Sequence, residues 1–97
     1  MAMTPELKAE LRRLRERRFY YLNQKIPEGM WKDGEGKFHD MQLMGIDHLQ
    51  ACIRLIERDL ADFNRKLVSP QAVKIIESRA LAKKEELIRV FREKSRM

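Results

Sequence analysis

A basic segment near the start of the chain carries the side chains best suited to binding an anion. Six Lys or Arg residues fall within residues 8–18, and a helix bearing them could contact several phosphates, with an affinity that falls as salt rises. Aromatic side chains follow closely, and their flat faces could stack on nucleobases. The candidate phosphate-binding residues are Arg12, Arg13, Arg15 and Arg17, and the candidate ligand-stacking residues are Tyr20, Tyr21 and Trp31. The simpler alternative is a solvated helix surface, or one that pairs with Asp and Glu of another chain.

A metal site is the second chemistry that the sequence allows us to consider. His48 and Cys52 stand four residues apart, a spacing that can place two zinc ligands on one face of a helix, and His39 lies shortly before them. Asp40, Asp47 or a second chain would have to complete the set. The alternative is that His48 hydrogen-bonds a neighbouring hairpin while Cys52 packs in the core as a small apolar residue. We predict no metal site and no cofactor.

Nucleophilic catalysis finds no support in the residue pattern. Thr4 and Ser69 are explained as helix caps, and no base is placed by sequence near a hydroxyl group. Asp59 and Asp62 form a carboxylate pair on what we predict to be a solvated face. A glycine-rich phosphate loop is missing from the sequence. We therefore predict that the protein is not an enzyme.

The composition indicates one mostly helical domain over residues 1–97. Charged residues make up 37% of the chain and hydrophobic residues 43%, a mix typical of long exposed helices. A core of this size buries a modest share of the surface, which favours a homo-oligomer. The start of the sequence lacks the pattern of a signal peptide, no apolar run is long enough to cross a bilayer, and there is a single cysteine. We expect a cytoplasmic protein that does not associate with membranes.

The net charge of +6 is unevenly distributed along the chain. Residues 1–25 hold seven Lys or Arg against three acids, and residues 70–97 hold eight against four. Residues 26–69, in contrast, hold six against eight. Such a layout could attract phosphate-bearing partners to the two ends, or it could let the basic ends contact the acidic middle within an oligomer.

Apolar periodicity predicts three helices, and the second has the clearest pattern. Its apolar stripe consists of Leu49, Cys52, Ile53, Ile56, Leu60, Phe63 and Leu67. Thr4-Pro5 and Ser69-Pro70 are helix-start signals, and Gly45 can cap the helix between them. The predicted helices run over 5–24, 46–68 and 70–94. We expect the second helix to organise the rest, with the third returning antiparallel to it or meeting it at a sharp bend.

A small hairpin is predicted between the first and second helices, over residues 30–41. Asp33-Gly34 and Glu35-Gly36 are turn dipeptides between two short segments. A two-stranded hairpin is marginal in water unless it packs on helices, so Trp31 and Phe38 are expected to anchor it. The predicted fold is therefore all-α, with three helices and a minor hairpin.

One pattern in the middle of the chain combines a Trp, a turn glycine, a Met and a His-Leu pair that leads into an amphipathic helix. Its residues here are Trp31, Gly36, Met44, His48, Leu49, Ile53, Ile56 and Arg58. Over residues 31–58 the chain thereby resembles a group of small accessory proteins of tailed phages and prophages. The resemblance implies a non-catalytic phage protein with a hairpin followed by two long helices. Some proteins of similar outline are oligomers that bind signalling nucleotides.

Two hypotheses of function follow from these patterns. The leading one is a small basic, phage-type accessory protein that binds a phosphate-bearing ligand, either nucleic acid or a signalling nucleotide, and could sequester it. The alternative is a helical interaction module that inhibits or bridges a host or phage protein. Phosphate binding should weaken steeply with ionic strength, whereas an apolar contact between helices should hardly respond.

Overall fold

The computed structural model describes residues 3–22 and 25–96, and within them it confirms an all-α fold with a small hairpin. The helices and strands are α1 (Pro5–Arg17), β1 (Met30–Lys32), β2 (Phe38–Asp40), α2 (Ile46–Ala61) and α3 (Pro70–Ser95). Short 3₁₀ turns at Tyr20–Leu22, Met41–Leu43 and Arg65–Leu67 join them. None of the helices in this part of the chain carries an apolar stretch sufficient to span a membrane.

Helix α1 begins where the sequence predicts and ends earlier. The Thr4 hydroxyl accepts a hydrogen bond from the Leu7 amide at 3.2 Å, and Pro5 occupies the first turn. The helix stops at Arg17 instead of continuing to residue 24. Because the helix ends early, Phe19 enters the core together with Tyr21 and Leu22 of the 3₁₀ turn that follows. A continuous helix could not bury these three side chains on one face. Residues 23 and 24, the end of the predicted helix, lie outside the described residues.

The hairpin forms as predicted, with Trp31 opposite His39 in an antiparallel register. Trp31 is its anchor, at 2% exposure, whereas the second expected anchor, Phe38, is 51% exposed. The expectation for Phe38 is wrong because Phe38 pairs with Lys32, one position from the Trp31–His39 pair, and so lies on the opposite face of the ribbon.

Helices α2 and α3 lie antiparallel, one of the two predicted arrangements. Glu57 forms an ion pair with Lys84 at 3.0 Å near the middle of α3, and the Lys94 ammonium near its end donates to the carbonyl of Met44 at 2.6 Å. Helix α2 ends at Ala61 and does not reach Val68. Phe63 turns into the core beyond the helix end, and Leu67, expected on the buried stripe, is 80% exposed.

Helix α3, and not α2, is the element against which the rest of the fold packs. It contacts α1, α2 and the two 3₁₀ turns that flank the hairpin. The Ser69 hydroxyl caps its start by accepting from the Ala72 amide. Its buried residues recur every three or four positions, at Ala72, Ile76, Ala80, Lys83, Leu87 and Val90. Lys83 belongs to this buried series, so α3 also turns a charged side chain toward the interior.

Candidate functional site

The basic residues of α1 separate into two groups on different sides of the helix. Lys8, Arg12 and Arg15 follow a spacing of four and then three, so they share one face. Together with Arg79 of α3 they line a groove of about 620 Å³, which we call the cationic groove. Its lining residues are Met3, Pro5, Lys8, Ala9, Leu11, Arg12, Arg15 and Arg79. No carboxylate is among these described lining residues, so its charge is entirely positive.

Arg79 is the residue of this groove that sequence reasoning missed. Its Nη1 atom is buried and has no hydrogen-bond partner among the described residues. Burial, and then the nearby charge of Arg15, lower the pKa of its guanidinium below the ordinary value. An arginine nevertheless stays protonated in proteins. Arg79 also lines a smaller groove of about 230 Å³ beside Glu28 and Glu86, yet none of the described residues accepts a hydrogen bond from its buried Nη1 atom.

A signal for Arg79 exists in the sequence. It stands three residues after Ile76 and seven after Ala72, both of which are buried, so it belongs at the edge of the core-facing stripe of α3. A cation at such a position must find a carboxylate, a carbonyl or a ligand. Its proximity to Arg15, more than sixty positions earlier in the chain, could not be read from spacing.

The structure does not bring all four predicted phosphate-binding residues together. Arg13 lines a separate groove of about 400 Å³ that also contains Glu6 and Glu10. Glu10 in turn accepts hydrogen bonds from the backbone amide and hydroxyl of Ser69. Arg17 is exposed in the last turn of α1 and lines neither groove. Of the four residues, only Arg12 and Arg15 line a common groove, because Arg13 and Arg17 lie on another face of the helix.

Two of the three predicted stacking residues are inside the protein. The rings of Tyr21 and Trp31 are 0% and 2% exposed and stack on each other, with centroids 4.7 Å apart. Their faces are not accessible to a ligand, so the role predicted for them is wrong. Both rings are part of the core, because burying their apolar surface stabilises the fold more than exposing it to water would.

The Tyr21 hydroxyl completes a buried polar contact. It donates to Oδ2 of Asp59 at 2.8 Å, and Asp59 is 3% exposed. Burial, followed by the hydrogen bond to Asp59, raises the pKa of Tyr21 well above its ordinary value, so the phenol keeps its proton and remains a donor. The expectation that Asp59 lies on a solvated face is therefore wrong, because α2 turns this carboxylate toward the core to receive the phenol.

Tyr20, the third predicted stacking residue, is half-buried and lies next to the hairpin turn. A Cβ atom added to Gly34 would be 3.7 Å from the Tyr20 hydroxyl. Burial, and then the charge of Asp59, raise the pKa of Tyr20, so its hydroxyl is protonated near neutral pH. It lines another groove of about 510 Å³, which we call the turn groove. The lining residues are Arg12, Arg15, Glu16, Tyr20, Lys32, Asp33, Gly34, Glu35 and Gly36.

The remaining positions of the sequence pattern are mostly structural. Trp31, Met44 and Leu49 are core residues, and Gly36 adopts a positive φ of 88° that the turn requires. Arg58 lies 3.9 Å from the carboxylate of Asp59. These contacts explain the residue types through packing and turn geometry.

The histidine and cysteine side chains do not form a metal centre in the described residues. His48 meets the hairpin through an edge-to-face contact with the His39 ring, with centroids 5.6 Å apart. Cys52 is buried, and burial raises the pKa of its thiol to about 11. In the described part of the chain, no group of three or more His, Cys, Asp or Glu side chains is placed to hold a metal ion.

A buried network near the hairpin contains Lys83, a buried cation of α3. The Lys83 ammonium donates to the carbonyl of Met30 at 3.1 Å and pairs with Glu86 at 3.2 Å. Glu86 also accepts from the Gly29 amide at 2.7 Å. The protein itself therefore satisfies this cation, which joins the hairpin to α3.

The chain has no match among protein-family models, curated proteins or solved structures.

Proposed function

We propose that this protein is a non-enzymatic binder of a phosphate-bearing ligand, which it holds in the cationic groove. The observation that carries the proposal is Arg79, whose buried Nη1 atom has no partner among the described residues and whose guanidinium is repelled by the charge of Arg15. A buried donor without a partner costs free energy, and a second cation nearby adds repulsion. An anionic ligand would relieve both costs at once.

The chemistry of the groove suits phosphate in particular. Arg12, Arg15 and Arg79 each present a planar guanidinium, which can donate two parallel hydrogen bonds to phosphate oxygens. Lys8 adds a compact charge at the same face. None of the side chains of Lys8, Arg12 and Arg15 forms an ion pair or hydrogen bond with the described residues. The described residues therefore leave these side chains without an acidic partner in the same chain. The simpler alternatives from the sequence, a solvated helix surface or pairing with acids of another chain, stay predictions.

A non-enzymatic role agrees with the residue types in the groove. Its described lining contains no serine, cysteine, histidine or carboxylate that could act as nucleophile or base. Thr4, close by in sequence, is engaged as the cap of α1. We infer that the protein binds its ligand in the cytoplasm and thereby sequesters it.

A paired substitution tests this function with a control matched in charge. Arg12→Gln/Arg15→Gln should weaken binding of AMP or of a single-stranded oligonucleotide, whichever the wild-type protein retains, by roughly 100-fold or more, because each arginine supplies charge-assisted hydrogen bonds. Arg13→Gln/Arg17→Gln removes the same charge from the other side of α1 and should have a much smaller effect. Equilibrium dialysis at low and physiological salt measures both, and circular dichroism checks helix content. Equal losses in the two variants, or retention by the first, would remove the proposal.

The alternative function, a protein-interaction module, is favoured by exposed apolar side chains near the hairpin. Leu43 is 85% exposed, and Phe38 and Ile46 are 51% and 42% exposed. The chain exposes 6835 Å², more than the roughly 5,800 Å² typical of a folded monomer of its mass. This excess supports the proposal of a homo-oligomer, which native mass spectrometry would test. The phage-type role stays a prediction from residues 31–58.

A further inference from the structure

The cationic groove and the turn groove adjoin each other at two residues. Arg12 and Arg15 line both, so the two grooves share one face of α1. A ligand bound by these arginines in the cationic groove can therefore extend directly into the turn groove. The volumes, about 620 and 510 Å³, lie in the range of small-molecule sites.

The two grooves differ in charge. The described lining of the cationic groove has four cations and no acid, whereas the turn groove adds the carboxylates of Glu16, Asp33 and Glu35 to Arg12, Arg15 and Lys32. A polynucleotide laid along both would bring further phosphates against those carboxylates, and like charges repel. A ligand with phosphate at one end and an uncharged group at the other meets no such repulsion.

Tyr20 provides an apolar surface in the turn groove. Its ring contacts Tyr21 edge to face, with centroids 5.3 Å apart, and among the described aromatic residues none stacks on it in parallel. The face of the Tyr20 ring, beside a glycine turn, is suited to stacking by a flat heterocycle. Gly34, next to the Tyr20 hydroxyl, has no side chain to block the approach.

The carboxylates of the turn groove are not equivalent. Asp33 is engaged, because Oδ1 accepts from the amides of Glu35 and Lys37 and Oδ2 lies 2.8 Å from the His39 ring. The side chains of Glu16 and Glu35 form no hydrogen bond or ion pair with the described residues. They remain available as acceptors for amino groups, as carboxylates are for the amino group of cytosine.

We propose that the ligand is a single nucleotide, with its phosphate in the cationic groove and an amino-bearing base against Tyr20 in the turn groove. This inference rests on the proposed function and narrows it from phosphate-bearing ligands in general to nucleotides. Adenine, cytosine and guanine carry an exocyclic amino group for Glu16 or Glu35, whereas uracil presents carbonyl oxygens on either side of its N–H. The site therefore favours AMP, CMP and GMP over UMP.

The test compares nucleotides, inorganic phosphate and a single-stranded oligonucleotide on the full chain by equilibrium dialysis. AMP should bind more tightly than both UMP and the oligonucleotide. Tyr20→Leu should weaken AMP binding by roughly 5- to 100-fold, the range typical for loss of one stacking ring, and leave retention of inorganic phosphate unchanged. Tyr20→Phe, which keeps the ring, should retain AMP binding. Phe38→Leu removes an exposed aromatic residue of the hairpin that lines neither groove and should have no effect.

The outcomes separate this inference from the function on which it rests. Oligonucleotide binding that is tighter than AMP binding, depends on Arg12 and Arg15 and is indifferent to Tyr20→Leu would overturn the single-nucleotide assignment and keep the proposed function. Binding of any of these probes that is indifferent to Arg12→Gln/Arg15→Gln would overturn both. Should Tyr20→Leu fail to fold, the AMP-to-UMP affinity ratio of the wild-type protein decides, and a ratio near one contradicts the inference.

Discussion

Arg79 and Lys83 lie one helical turn apart on α3, Lys83 buried and Arg79 half-buried, and the protein treats the two cations differently. Lys83, at 7% exposure, reaches the Met30 carbonyl and the Glu86 carboxylate. Arg79 has a buried Nη1 atom with no partner in the described chain. Removing the partner of a buried, paired cation strongly destabilises a protein, whereas a cation with a buried donor left unpaired is a candidate for binding. The region around Lys83 is in this sense complete, whereas Arg79, which faces α1, keeps an unpaired donor.

The largest expected effect comes from breaking the complete region. Glu86→Ala leaves Lys83 buried without its counter-charge and removes the acceptor of the Gly29 amide. We expect the free energy of unfolding to fall by about 3–5 kcal/mol, as for other buried ion pairs that lose one partner. Urea denaturation measures the change. Glu85→Ala, on the exposed side of the same turn, is the control, and similar small losses in both variants would show that the network is not structurally important.

A smaller effect is expected at the hairpin turn, where Asp33 gives a pH dependence. The hydrogen bond from His39, followed by that from the Lys37 amide, lowers the pKa of Asp33 to about 2, below its ordinary value of about 4. Because the folded-state pKa is the lower one, Asp33 stabilises the fold above about pH 4, and this contribution is lost as pH falls through about 2.

Asp33→Asn should therefore reduce the sensitivity of the unfolding free energy to acid between about pH 5 and about pH 2. Urea denaturation at several pH values gives the comparison. Glu35→Gln, at the neighbouring exposed position, serves as control. If the acid sensitivity of Asp33→Asn equals that of the wild-type protein, the turn contacts of Asp33 do not stabilise the fold.

The parts of the fold that the sequence predicts best are those set by short-range contacts. Thr4 and Ser69 cap amides three residues ahead, and the Asp33 side chain bonds amides of its own turn, so the starts of α1 and α3 and the hairpin could be located from residue types alone. The ends of α1 and α2 could not, because Phe19 and Phe63 leave the helix to reach a core assembled from distant segments. The centroids of their two rings are 5.3 Å apart in that core.

The candidate site shows the same division. Periodicity alone could have placed Arg12 and Arg15 on one side of α1 and Arg13 on another, since their spacing determines the face. The burial of Tyr21 and Trp31 depends on their mutual stacking and on Asp59, which is 38 positions from Tyr21. No local pattern reports such a partner. The role of Arg79 likewise depends on how α1 and α3 meet.

The central claim is that the cationic groove binds phosphate through Arg79. Its most direct test is to measure how Arg79→Met changes both stability and binding. Methionine keeps an unbranched side chain and removes the unsatisfied donor and its repulsion with Arg15. Urea denaturation and equilibrium dialysis with AMP and a single-stranded oligonucleotide are measured on the same preparation, with Arg89→Met, exposed further along α3, as control. If the cationic groove binds phosphate, Arg79→Met should be at least as stable as the wild-type protein. It should also bind whichever of the two probes the wild-type protein retains roughly 10-fold or more weakly. A variant that loses stability and binds as the wild-type protein does would contradict the account.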